Sequence, residues 1–150
     1  RLYLGKNEFP SKTLVLIDLS SFSVQKTEFR NDPIRVSEYI NSRARVEKQK
    51  EFKCIRLKNF SKTTSQWIDK YGLDEKIGEV PVHSLNEYVA LLRQAQELIA
   101  FHSGSIALSS AIKEYSPQLR STCIITEKLA VSEKQLQLNH TYEGVDYIVV

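Results

Sequence analysis

The run Thr13-Leu14-Val15-Leu16-Ile17-Asp18-Leu19 constrains the fold more than any other segment. It is almost unbroken in apolar character and short for a buried helix. A strand with one face in water alternates apolar and polar residues, whereas a strand covered on both faces reads as a continuous run. Such strands belong to parallel sheets with helices on each side. Comparable short runs recur at Phe52 to Leu57, Glu97 to Phe101, Ser121 to Thr126 and Val145 to Val150. Ile77 to Val82 reads as a short strand or extended segment suited to a sheet edge, because Pro81 cannot donate to a ladder.

Helical patterns fill the intervals. Asp32-Pro33 starts a helix with Val36, Tyr39 and Ile40 on one face. Thr63 to Tyr71 is a short helix stopped at Gly72. Ser84-Leu85-Asn86-Glu87 has the capping-box pattern, and the helix behind it carries Leu85, Tyr88, Leu91, Leu92 and Ala95 as an apolar stripe. Ser105 opens another helix with Leu108, Ala111, Ile112 and Tyr115 on its buried face, and Pro117 helps to stop it. Ser132 to about Leu138 reads as the last helix. Strands alternating with helices predict one parallel sheet with right-handed crossovers. The length, 150 residues, suits a single domain over 1–150 that can bury its own core.

The composition, 41% hydrophobic and 26% charged, is that of an ordinary globular chain. No apolar run approaches the roughly 18 residues that span a bilayer. No signal-peptide core follows Arg1-Leu2-Tyr3-Leu4-Gly5-Lys6. The sequence lacks Met and ends on Ile148-Val149-Val150, which leads us to expect a fragment of a longer protein. The net charge of +3 fits an anionic ligand, an acidic membrane surface, or ordinary surface variation. The mixed run Arg43 to Lys53 contains Glu47 and Glu51 and reads as a solvated helix face. With no DNA- or RNA-binding signature, no nucleic-acid partner is expected. Cys54 and Cys123 lie inside strand runs, as buried inert thiols do, and imply a reducing, cytoplasmic setting.

Ligands of open α/β sheets bind outside the carboxyl ends of the strands. The turn His102-Ser103-Gly104-Ser105 falls in that place. Gly104 permits a tight turn and close backbone approach. The N–H groups opening the next helix carry partial positive charge, so the turn suits a phosphate or diphosphate. Ser103 and Ser105 add hydroxyl donors, and His102 adds a donor or, when protonated, a charge. The same residue types also serve simply to start a helix. A second loop, Ser20 to Asn31, is about 12 residues long, a length that tends to be functional or mobile. Its Ser20, Ser21, Ser23 and Lys26 could close over the same phosphate, although a solvated loop is the plainer reading. Asp18 could face the same crevice, but a surface or capping role is expected for it. His83 serves the start of the helix that follows it, and His140 is expected at the surface. The three His share no metal-ligand spacing, so no metal site is expected. There is no G-x-G-x-x-G fingerprint and no P-loop, which argues against a dinucleotide dehydrogenase and a P-loop NTPase. Catalytic residues cannot be named from spacing, because such groups assemble in space.

The stretches Ser84 to Tyr88, Leu91 to Ala95 and Glu97 to Ala111 together resemble the C-terminal domain of GT-B glycosyltransferases, most closely the heptosyltransferase-like group. In that group a helix, a strand, an Asp/His-Ser/Thr-Gly turn and a small-residue helix form the donor-diphosphate site. The loop with Ser20, Ser21, Ser23 and Lys26 resembles the group's Ser/Thr-and-Lys loop after the first strand. Ser105 and Ala107 stand where the group often has Pro or Gly and a His. The resemblance implies a Rossmann-like α/β domain: a parallel sheet of about five to six strands with helices on both faces. It implies the donor-binding half of a glycosyltransferase, taking a nucleotide-diphosphate sugar at Ser20, Ser21, Ser23, Lys26, His102, Ser103, Gly104 and Ser105. The acceptor would be a polysaccharide, a lipid-linked glycan or a protein. The donor is a substrate, and no further cofactor is implied. The partner half would be an N-terminal domain of the same protein, with room for peripheral membrane association of the full-length chain. Alone, the donor half would bind nucleotide weakly and catalyse nothing. Two alternatives stay open: a non-catalytic α/β interaction or assembly domain, and an enzyme of another nucleotide-sugar or phosphosugar class.

Overall fold

The apolar run at the start of the chain becomes β1 (Thr13–Asp18), and it lies in the middle of the sheet. Its residues divide between two layers, Val15 and Ile17 on one face and Leu16 on the other, all three fully buried. The computed structural model describes residues 13–20, 33–58, 72–101, 104–125 and 144–150. Within them the elements run β1, α1 (Pro33–Val46), β2 (Lys50–Leu57), β3 (Gly78–Val82), α2 (Leu85–Leu92), β4 (Glu97–Phe101), α3 (Gly104–Ile112), β5 (Arg120–Ile125) and β6 (Val145–Val149). The expected helices at 63–71 and 132–138 lie outside the described residues.

All six strands are parallel, in the order β3-β2-β1-β4-β5-β6. This is the doubly wound, Rossmann-like arrangement, with the order reversing between β1 and β4. One core layer joins Val36 and Ile40 of α1 to Val15, Ile17, Phe52, Ile99 and Ile124. The other joins Tyr88 and Leu92 of α2 and Ile106 of α3 to Leu16, Ile55, Leu98 and Cys123. Helices therefore cover both faces, as the fully buried strand runs require. Each such Ile or Leu contributes about 1.5–3 kcal/mol relative to leaving it in water.

Pro81 lies on β3, at the sheet edge, as its missing N–H demands. The carbonyl of Val82 accepts from the Lys58 N–H at 2.8 Å, so Val82 turns its polar groups toward β2 and Pro81 turns away from it. Gly144, with φ at +79°, makes the left-handed turn into β6, where a side chain would be strained.

Several expectations about faces need correction. Leu85 is 60% exposed, and α2 ends at Leu92, so Ala95 is buried in the turn after the helix. Ser84 caps α2 by accepting from the Glu87 N–H at 3.2 Å, but the Glu87 carboxylate accepts from the N–H of His83 rather than that of Ser84. On α3 the buried residues are Ile106 and Ser109; Ala111 is exposed, Ile112 is half-buried, and Tyr115 is 73% exposed. The helix stops at Ile112, before Tyr115 can join its face. Ser109 can be buried because its hydroxyl bonds the Ile106 carbonyl at 2.9 Å and the Ser121 hydroxyl at 2.7 Å. The run Arg43 to Lys53 is not one helix face. It spans the last turn of α1, a turn and the first half of β2.

Candidate functional site

The carboxyl ends of β1 and β4 lie side by side, with Asp18 in register with Ala100. This is where the strand order reverses, and such reversals open a crevice in this architecture. β1 ends there at Asp18, with Ser20 two residues on, and β4 is followed by α3, which begins at Gly104. The first N–H groups of a helix have no intrahelical carbonyl, so the start of α3 presents partial positive charge at the crevice.

Asp18 is the centre of the described part of this site. Its side chain is fully buried, not at the surface. One carboxylate oxygen, Oδ1, accepts from the Ser20 backbone N–H at 2.9 Å and from the Ser20 hydroxyl. The other, Oδ2, accepts from the Tyr88 phenol and from the Ser105 hydroxyl, the latter at 2.6 Å. Four donors saturate a carboxylate. In place of the expected surface or capping role, the bond to the N–H two residues on closes a turn after β1, a geometry that Asp favours.

Three elements thus converge on one side chain. Tyr88, from α2, is 4% exposed. Burial, then the charge of Asp18 and the bond to it, push the phenol well above its usual range. It stays a proton donor. Ser105, the second residue of α3, binds the same oxygen, so its hydroxyl proton is committed to Asp18 rather than to a ligand. Among the described residues no cationic side chain pairs with Asp18. Its burial rests on neutral donors and on the positive end of α3.

Of the eight residues expected at the site, the structure brings Ser20 and Ser105 together at Asp18, with Gly104 next to Ser105 at the start of α3. Ser21, Ser23, Lys26, His102 and Ser103 lie outside the described residues. Asp18 as a buried hub and Tyr88 as its donor escaped the sequence reading. The available signals were a lone acid ending an apolar run and a Tyr in an otherwise aliphatic stripe. His83 sits where expected, before α2, with its ring 3.3 Å from Glu87. His140 lies outside the described residues. Among the described residues no group of three or more His, Cys, Asp or Glu could hold a metal ion, and no helix is long and apolar enough to cross a membrane.

A second buried acid lies at the opposite end of the sheet. Glu97, the first residue of β4, is 3% exposed. Arg43 of α1 grips it with two bonds of 2.7 and 2.8 Å and grips Glu47 with two of 2.6 and 2.9 Å. Thr122 donates to Glu97 at 2.6 Å, and Arg43 lies 5.8 Å from the Phe52 ring centroid. Burial raises the Glu97 carboxyl, but the Arg43 and Thr122 bonds outweigh it and hold the group below its usual range. Cys54 and Cys123 are buried free thiols, and burial pushes Cys123 up to about 12, so it is inert as a nucleophile. Compared with known proteins, the chain has no significant match to a family model, a curated protein or a solved structure.

Proposed function

We propose that the chain is the donor-binding half of a GT-B-type glycosyltransferase, taking a nucleotide-diphosphate sugar at the crevice between β1 and β4. One observation carries the reading: α3 opens beside the end of β1, at the reversal of strand order. A helix start in that position is suited to a diphosphate. The reading rests further on the resemblance drawn from the sequence, which takes Gly104, at the start of α3, and Ser20, two residues beyond β1, as donor contacts.

In the proposed reaction an acceptor oxygen bonds to the anomeric carbon while the bond from that carbon to the diphosphate breaks. The acceptor proton passes to a base on the partner half. The negative charge left on the diphosphate would be met by the first-turn N–H groups of α3 and, as the sequence resemblance implies, by Lys26. The Ser105 hydroxyl is turned to Asp18, so donation to the phosphates falls to the backbone.

Amide shifts followed during titration with UDP, GDP, CMP and ADP test the reading. The expected result is movement at Gly104 and Ser105 with one base preferred. If neither amide moves with any of the four at millimolar concentration, the reading fails. A stable oligomer without a nucleotide response would favour an assembly domain instead.

A further inference from the structure

Resting on the donor-binding reading, we infer that Asp18 is a positioning residue, which fixes the first turn of α3 through Ser105 in the place where a diphosphate is received.

All four acceptor positions of its carboxylate are taken by protein donors. It therefore has no lone pair with which to act as a base or as a ligand contact. Its partners are spread unusually widely: Tyr88 is 70 residues away in sequence and Ser105 is 87. A carboxylate needed only to close the turn after β1 would be served by Ser20. The two further bonds to Oδ2 tie α2 and α3 to the end of β1. Ala100, the residue in register on β4, is small. The bond from Ser105 lies within the first turn of α3, the part of the helix that faces the crevice. Hydrogen bonds to a charged acceptor are short and directional, so this one sets where the first-turn N–H groups point.

The position has a cost in charge. A buried carboxylate close to a diphosphate site repels the ligand, and it takes up part of the helix's positive end. If positioning dominates, removing the charge weakens binding; if repulsion dominates, removing it strengthens binding. The sign of one measurement separates the two.

The test compares the unsubstituted chain with Asp18→Asn, Ser105→Ala and Ser105→Thr. Two readouts are taken: dissociation constants for the preferred nucleoside diphosphate, and amide hydrogen exchange across α3. Asp18→Asn and Ser105→Ala are expected to weaken binding about tenfold, the loss of one charge-assisted bond. Both should speed exchange in the first turn of α3 and leave β4 unchanged. Ser105→Thr keeps the hydroxyl and should bind like the unsubstituted chain. Should Asp18→Asn not fold, the Ser105 pair alone decides. Unchanged exchange in the first turn overturns the inference whether or not nucleotide binds. Faster exchange with unchanged affinity also overturns it, as does tighter binding by Asp18→Asn. If the unsubstituted chain binds no nucleotide, the donor-binding reading itself is what has failed, and the inference falls with it.

Discussion

Asp18 and Glu97 are both buried acids, on neighbouring strands of one sheet and at opposite ends of it. Burying a charge is costly unless it is paired or fully hydrogen-bonded. The two ends meet that cost differently. Glu97 has a guanidinium held against it by two bonds, so its charge is neutralised on the spot. Among the described residues Asp18 has only the neutral Ser20, Tyr88 and Ser105 donors, which come from three separate parts of the chain. The first arrangement is closed and serves the fold. The second depends on the crevice keeping its shape, and it leaves a buried negative charge where the strand order reverses.

The comparison can be broken at either end. Arg43→Ala takes the bonded guanidinium from Glu97 and leaves Thr122 as its side-chain donor among the described residues, and the expected loss is about 3–5 kcal/mol in urea unfolding. Nucleotide shifts at Gly104 and Ser105 should be unaffected. A loss under about 1 kcal/mol would mean that the Glu97 pair is ornamental and the contrast drawn here is wrong. Tyr88→Phe takes one donor from Asp18 at an apolar position, for about 1.5–3 kcal/mol. Because Tyr88 is raised in the folded chain, its contribution is full below its usual value of 10.0 and fades as pH climbs beyond it. The alkaline unfolding limb should therefore flatten in Tyr88→Phe. Thr122→Val removes a single donor from Glu97, which keeps Arg43, and should cost about 1 kcal/mol.

Acid probes the Glu97 end by another route. The Arg43 bonds, aided by Lys50, hold Glu47 down to about 2, and Glu97 is also lowered. Both contribute stability above their usual 4.5 and lose it as pH falls below that, Glu47 down to about 2. Arg43→Met should shrink that acid limb, read by circular dichroism against pH. The smallest effects are expected at Leu85→Ser and Tyr115→Ser, within about 0.5 kcal/mol, since both side chains are exposed. A larger loss at either would restore the faces first read from the sequence.

Those two positions also show where the sequence stopped speaking. Strand runs such as Thr13 to Asp18 were legible because full burial leaves no room for polar alternation, and Pro81 announced its own edge. The face of α3 was not legible. Its residues are mostly small or apolar all round, and the buried Ser109 is tolerated only because Ser121 waits across the layer. Asp18 could be seen as a lone acid, yet its partners at 70 and 87 residues' separation come together only through the fold. Arg43 and Glu97, 54 residues apart, were invisible for the same reason, and Arg43 was misread as part of a solvated face. Ser20 and Ser105, both singled out from the sequence, meet at Asp18, but sequence position did not show that Ser105 would turn its hydroxyl inward.

The proline on β3 has a consequence for behaviour in concentrated solution. Val82 faces β2, so the outward row of the β3 edge meets Pro81 where a backbone donor would otherwise stand. An incoming strand finds its hydrogen-bond ladder interrupted there, which discourages the edge-to-edge stacking by which sheets aggregate. Among the described residues β3 has no outer neighbour, and the proline ring there limits strand addition on that flank.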